Sequence, residues 1–497
     1  MISPMMIILF IVCYFLVLLL TGYITSRKAN ADTYFLGNKQ SPWLLVALGM
    51  IGDSLSGVTY ISVPGKVGVA NFSYLQIVIG YFAGYFIISH LLLPLYYRMN
   101  LTSIYEYLFT RFGRITQKTG SILFIVSRLL GAAGRLYLAA NVIQFFVFDR
   151  LFGTSVPFGL SVFIILFLML LYTYKGGIKT LVYTDTLQSL FLVLGVILSI
   201  IAITGQMKIS LTEAAHRVIN SDYSEFLYFD FMKSNFVLKD FFGGIFTAVA
   251  MTGLDQNMMQ KNLSCRSLGE AQKNIFWFSI IMVIVNVFFL ALGALLYQYY
   301  EYAAIDLPVH EVTGKVMTDR VFPNLALHHL GMFSGLVFIL GLTAATFSSA
   351  DSVLTTLTTS AYIDVLEIDK RYAMPDERKN KLRTLIHIGF TLVLWLIILF
   401  FEKLNKSALV DTILIIAGYT YGPLLALFFL GLYTKINLKD KMVPFACIAG
   451  PAVCFFISSN SAVFFGNYQI GMELILLNAF ITALFLMMSV KKTTQAV

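Results

Sequence analysis

Apolar residues in this chain come in runs of about 20, long enough to cross a hydrocarbon core as helices. Thirteen runs are legible, at about 5–25, 43–64, 72–97, 119–148, 155–173, 180–204, 240–258, 274–299, 326–361, 384–401, 409–434, 443–460 and 468–490. The expected fold class is an all-α integral membrane protein of about 13 transmembrane helices. The first run is not read as a cleavable signal peptide. Met1 to Met6 carries no basic side chain, and Arg27 and Lys28 follow the run instead of preceding it. That order predicts an N-terminus outside the cell and, after an odd number of crossings, a cytoplasmic C-terminus. The cytoplasmic segments then hold 23 of the 35 Lys and Arg residues, Lys261 among them, and the outer segments 10. This is the asymmetry of the positive-inside rule. The other two, Arg128 and Arg135, fall inside a run.

Composition agrees. Hydrophobic types make up 58% of the 497 residues and charged types only 12%, with a mean hydropathy of +0.80. A soluble protein is about one-quarter charged, so a soluble enzyme, a disordered scaffold and a fibrous protein are all excluded. The net charge of +9 is a topology signal here, and no nucleic-acid partner is expected. Three of the four cysteines lie in apolar runs and none forms a C-x-x-C or Cys/His cluster, so neither a disulfide framework nor a zinc site is indicated. The outer loops 205–239 and 300–325 are too short for a soluble domain. The charged segment 364–383 reads as a short amphipathic helix or turn.

Two runs are interrupted in related ways. The second reads Gly49, Gly52, Asp53, Ser54, Ser56 and Gly57 before Pro64; the seventh reads Gly243, Gly244, Thr252, Gly253, Asp255 and Gln256. Unwound backbone at membrane depth survives only where it lines a cavity, and paired interruptions in two halves point to a transporter binding site. Close helix packing through small residues is the bland alternative. Asp53, Asp185, Asp255 and Asp351 fall in or at the ends of runs, where ionisable groups are costly and usually functional. Arg128 and Arg135, seven apart, share a helix face. His90 and His387 stand alone on apolar runs and read as hydrogen-bonded packing residues. The ninth run carries Thr343, Thr346, Ser348, Ser349, Asp351, Ser352 and five more hydroxyls through Ser360. Hydroxyls, one carboxylate and nearby unwound carbonyls are hard oxygen ligands that suit a small hard cation.

These residues resemble the sodium/solute symporter family, which includes sodium–glucose, proline and sialic acid symporters. Tyr174 through Gln188, with Gly176, Gly177, Thr184 and Asp185, is similar to the family's first signature, and Gly253 through Lys261 to its second. Ala344 through Ser352 and Gly418 through Pro423, opening into Leu430 and Gly431, complete the match. The resemblance implies a LeuT-type core of two inverted five-helix repeats, at about 42–205 and 240–434. An extra helix and loop (1–41) would precede it, an outer loop (206–239) would join the halves, and two helices (435–497) would follow. It implies a sodium site made by the carbonyls of Gly52, Leu55 and Ala345 with the hydroxyls of Ser348 and Ser349. Asp185, Asp351 and Ser352 match the positions of a second sodium found in some members. By analogy with the family cavity, the solute contacts would be Asp53, Ser56, Thr59, Tyr74, Gln76, Arg135, Gln256 and Thr420. Asp53 stands where a sialic acid-type relative would carry a small hydroxyl residue. Arg128 and Arg135 flank the place of the arginine such a relative would use.

The expected activity is sodium-driven import of a small polar solute across the plasma membrane by alternating access, the solute being a sugar, an acidic sugar such as sialic acid, an amino acid or a carboxylate. Na+ is the only cofactor expected, and the lipid bilayer is the solvent. Two alternatives keep the fold: coupling to protons through Asp53, Asp185 or Asp351, and a sensor or channel without coupled transport. An enzyme is least expected, because no nucleophile–base pair or cofactor loop is visible at membrane depth.

Overall fold

In lipid each backbone N–H and C=O must be satisfied within its own segment, so apolar runs become helices. The computed structural model describes residues 4–27, 31–144, 148–149, 156–310, 313–368, 374–404 and 409–491. Lys28, Arg150, Lys370, Arg371, Lys406 and Lys492, all part of the charge asymmetry above, lie outside the described residues. The principal helices are α1 (Pro4–Ser26), α2 (Trp43–Ser54), α3 (Gly57–Ala70), α4 (Tyr74–Ile87), α5 (Arg114–Ile143), α6 (Phe158–Gln206) and α7 (Val237–Ala248). They continue with α8 (Gln256–Leu263), α9 (Leu268–Tyr302), α10 (Gly331–Ser360), α11 (Asp376–Leu404), α12 (Leu409–Tyr433), α13 (Val443–Ser459) and α14 (Leu474–Met488). Among the described residues, eight helical segments are long and apolar enough to cross alone. Two more spans are bent pairs, and Phe158–Tyr174, Ala417–Tyr433 and Leu474–Met488 are shorter apolar helices. These are the thirteen expected segments.

Three local features shape the spans. α2 and α3 meet at a 62° bend, where Leu55 (φ −96°, ψ 84°) leaves the helical ladder. α7 passes through a π-helical turn, Val249–Gly253, and then bends by 64° into α8. There the Asp255 carboxylate caps α8 by accepting from Met258 N at 3.2 Å. The 49-residue α6 is two spans joined at Gly177, whose φ of +53° and close approach to the Tyr34 backbone require glycine.

α10 lies at the centre, packed against α2, α3, α5 and α6, and every residue from Gly341 to Ser360 is buried. Its hydroxyls therefore face protein, not lipid. Of the charged segment 364–383, where a short amphipathic helix or turn was expected, only 364–368 and 374–383 are described. Asp376 begins α11, and Arg378, Lys379, Lys381 and Arg383 form its first turns, while 369–373 lie outside the described residues. At this end of the bundle Asp440 caps α5, accepting from Ile115 N (3.0 Å), Thr116 N (2.7 Å) and Thr116 Oγ1 (2.7 Å). His387 is buried between the hydroxyls of Thr173 (3.0 Å) and Thr358 (2.9 Å), and His90 stacks on Phe86 at 4.1 Å.

Candidate functional site

The break after α2 is pressed against α10 and α6. Gly52 N donates to Ser189 Oγ at 2.8 Å, and a Cβ at Gly52 would stand 2.5 Å from Ser348 Oγ and 2.7 Å from Ser189 Oγ. Because the ladder stops at Leu55, the carbonyls of Gly52 and Leu55 accept no backbone hydrogen bond from the described residues. Ser348 Oγ is buried without a hydrogen-bond partner among them, and Ser349 Oγ only folds back on the carbonyls of Ala345 (3.3 Å) and Thr346 (3.1 Å). Buried polar groups are normally satisfied, so free carbonyls beside a free hydroxyl suit a small cation that accepts oxygen lone pairs. The donor set expected for sodium (Gly52, Leu55, Ala345, Ser348 and Ser349) comes from these two elements.

One turn along the same helices lies a buried charge cluster. The ammonium of Lys261 donates to Asp53 Oδ2 and Asp185 Oδ2, and to Ser352 Oγ at 2.9 Å. Ser352 Oγ in turn donates to Asp185 Oδ2 at 3.0 Å. Asp351 turns away and accepts from Tyr172 OH at 2.7 Å. One expectation is corrected here. Lys261 is not a loop residue in water: α8 extends the seventh span to Leu263, and every α8 residue is buried. Of the residues expected at a second sodium, Asp185 and Ser352 bond each other and share the Lys261 ammonium, whereas Asp351 bonds Tyr172. Asn257, one turn before Lys261, adds a contact from Nδ2 to Asp53 Oδ2 at 3.4 Å and accepts from Thr356 Oγ1 at 3.3 Å.

The expected solute contacts divide into engaged and open groups. Asp53 is held by Lys261. Gln256 fastens the 102–104 loop through Ile104 N (2.9 Å) and Thr102 O (3.0 Å). Gln76 ties the 228–240 segment, bonding Tyr228 N (3.1 Å), Asn235 O (3.0 Å) and Asp240 Oδ2 (2.9 Å). All three are thus already engaged by other groups of the protein. Ser56 and Thr59 face each other across 3.5 Å at the start of α3, Tyr74 is half-buried at the start of α4, and Thr420 bonds Ser127 Oγ on α5 at 2.7 Å. The two arginines differ. Arg128 Nε donates to Asp255 Oδ2 at 2.6 Å, Tyr421 OH donates to the same oxygen at 2.5 Å, and Arg128 Nη2 reaches Met251 O at 3.2 Å. Arg135, two turns on, is half-buried and forms no hydrogen bond or ion pair with the described residues.

Residues 34–440 match the profile of the sodium:solute symporter family. The chain belongs to this family. It is 24% identical over 465 residues to the sodium/sialic acid symporter of Proteus mirabilis, covering 92% of this chain and 88% of the relative. It is also 24% identical to a sodium-coupled monocarboxylate transporter 2 of Danio rerio, over 88% of this chain and 68% of that one. The substrate-bound, outward-open structure of a Na+-coupled sialic acid symporter superposes with a TM-score of 0.80 at 20% identity, covering 98% of both chains. The fold is thus the LeuT-type core, and the protein is a multi-pass membrane symporter that couples a solute to sodium.

Four functional candidates escaped the sequence: Lys261, Asn257, Ser189 and Tyr421. Ser189 lies one turn from Asp185, and Asn257 and Tyr421 directly follow Gln256 and Thr420, so proximity to groups already under suspicion was the available signal.

Proposed function

We propose that this symporter imports a small organic carboxylate together with sodium. The observation that carries the reading is Arg135. Arg128 and Lys261 are each hydrogen-bonded to carboxylates, whereas Arg135 has no such bond among the described residues, and a guanidinium at membrane depth that lacks one is costly unless an anion reaches it. A planar fork of donors suits a carboxylate better than a neutral sugar. Sialic acid and monocarboxylates, named for the two relatives, both carry that group. Ser56, Thr59 and Thr420 would bind the rest of the solute, with Tyr74 near the mouth. Sodium would sit between the carbonyls of Gly52, Leu55 and Ala345 and the hydroxyls of Ser348 and Ser349, joining the broken second span to α10. The N-terminus would face outward and the C-terminus the cytoplasm of a plasma membrane. Alternating access would move two inverted repeats, 42–205 and 240–434.

Thermal stabilisation of the purified protein by monocarboxylates, sialic acid and neutral sugars, with and without sodium, tests this. Carboxylates should stabilise the wild type only with sodium. Arg135→Gln should weaken them by about 10- to 100-fold, since a hydrogen bond to a charged group contributes about 1.5–3 kcal/mol. Neutral sugars binding as well as carboxylates, or an unaltered Arg135→Gln, would refute it.

A further inference from the structure

The position of Lys261 bears on how many ions the protein carries. The sodium site above draws on Gly52, Ser348 and Ser349, with Ser189 behind it. The lysine cluster draws on Asp53, next to Gly52; on Asp185, four residues before Ser189; and on Ser352, four residues after Ser348. Four residues make one helical turn, about 5.4–6 Å of rise. The ammonium therefore lies one turn from the sodium site on the same helices. In the orientation proposed above, it is on the cytoplasmic side.

The surroundings of the ammonium are those of a cation site. Two fully buried carboxylates and a hydroxyl converge on it, from α2, α6 and α10. Asp53 Oδ1 and Asp185 Oδ1 remain buried without a hydrogen-bond partner among the described residues. Both carboxylates thus depend on this one cation. A second metal ion would have to share Asp185 and Ser352 with a positive charge already in contact with them, and like charges at that separation repel strongly in a medium poorer in water than the bulk.

We infer that the Lys261 ammonium is a tethered replacement for a second sodium ion, so that the protein binds and carries one sodium per cycle. The inference rests on the sodium-symport reading above. A mobile ion would leave with the solute, but the lysine stays and keeps Asp53 and Asp185 compensated while the neighbouring sodium comes and goes.

Equilibrium binding of radioactive sodium to the purified full chain in detergent tests this by stoichiometry, without a solute. The wild type should bind one sodium per chain. Lys261→Met should gain a second, and Lys261→Met with Asp185→Asn should return to one. Lys261→Arg, which keeps the charge, should stay at one. Two ions on the wild type would overturn the inference while leaving symport intact, and that measurement needs no variant to fold. A Lys261→Met chain that is monodisperse, retains the first sodium and gains none would overturn it as well. A wild type that binds no sodium would remove the symport reading and this inference together.

Discussion

The contact between Arg128 and Asp255 makes a quantitative demand. It ties α5 to the bend between α7 and α8, and both side chains are buried, with Asp255 fully so. Arg128→Met leaves the Asp255 carboxylate with only Tyr421 OH and Met258 N, contacts it already has in the wild type and which cannot replace the lost charge. Asp255→Asn leaves the guanidinium only neutral acceptors, the Met251 carbonyl and the new amide oxygen. Removing one member of a buried ion pair costs about 3–5 kcal/mol, because the survivor keeps its desolvation penalty. The double variant removes both charges and should cost no more than either single one, a coupling of about 3–5 kcal/mol. Equilibrium unfolding of the four proteins in mixed micelles, titrated with SDS and followed by circular dichroism, measures the cycle. Single losses below about 1 kcal/mol, or additivity within about 0.5 kcal/mol, would refute the claim that the pair is a shared buried contact.

Two further outcomes follow from local geometry. Gly52→Ala places a methyl 2.5 Å from Ser348 Oγ and 2.7 Å from Ser189 Oγ, so α2 and α10 must separate; sodium affinity, read by radioactive binding, should fall at least about tenfold, equivalent to about 1.4 kcal/mol, and unchanged affinity would exclude this glycine from the site. Burial pushes the Cys265 thiol up to about 12, leaving roughly one part in ten thousand as thiolate at pH 8. Maleimide should therefore spare it until the chain is denatured, as mass spectrometry would report, and rapid native labelling would show that the α8–α9 junction is open.

The spans and their two breaks were legible because lipid imposes a rule that depends on one segment at a time. Run length, glycine placement and the polar residues beside Leu55 and Asp255 suffice for it. Lys261 was not legible by that rule. Hydropathy ends the seventh span near 258, because Gln256, Asn257, Gln260, Lys261 and Asn262 are all polar. A polar helix buried in protein and a loop in water look alike to such a measure. The charges from Asp376 to Arg383 read as loop-like for the same reason, although they form the first turns of α11. The partners of Arg128 and Asp53, 127 and 208 residues away along the chain, depend on helix packing that no local pattern records. One clue was present nonetheless. Four aspartates at depth against two arginines left the interior short of positive charge, and the missing cation was Lys261.

That balance also explains how sodium could matter to a solute it does not touch. With all groups ionised, Asp53, Asp185, Asp255 and Asp351 carry one charge more than Arg128, Arg135 and Lys261 together. A single sodium at the site proposed beside α10 would cancel the difference, which a low-dielectric interior makes costly. Of these three cations Arg135 alone has no carboxylate hydrogen-bonded to it among the described residues, and the proposed carboxylate solute would complete the pairing. An ion shifts a conformational equilibrium only by its differential affinity for the two states. Sodium meets that condition if it joins the hinge at Leu55 to α10 in one state and loses one of them in the other. A carboxylate solute would bring back the single negative charge that the sodium cancels, so the lysine and arginine variants probe one electrostatic balance from its two ends.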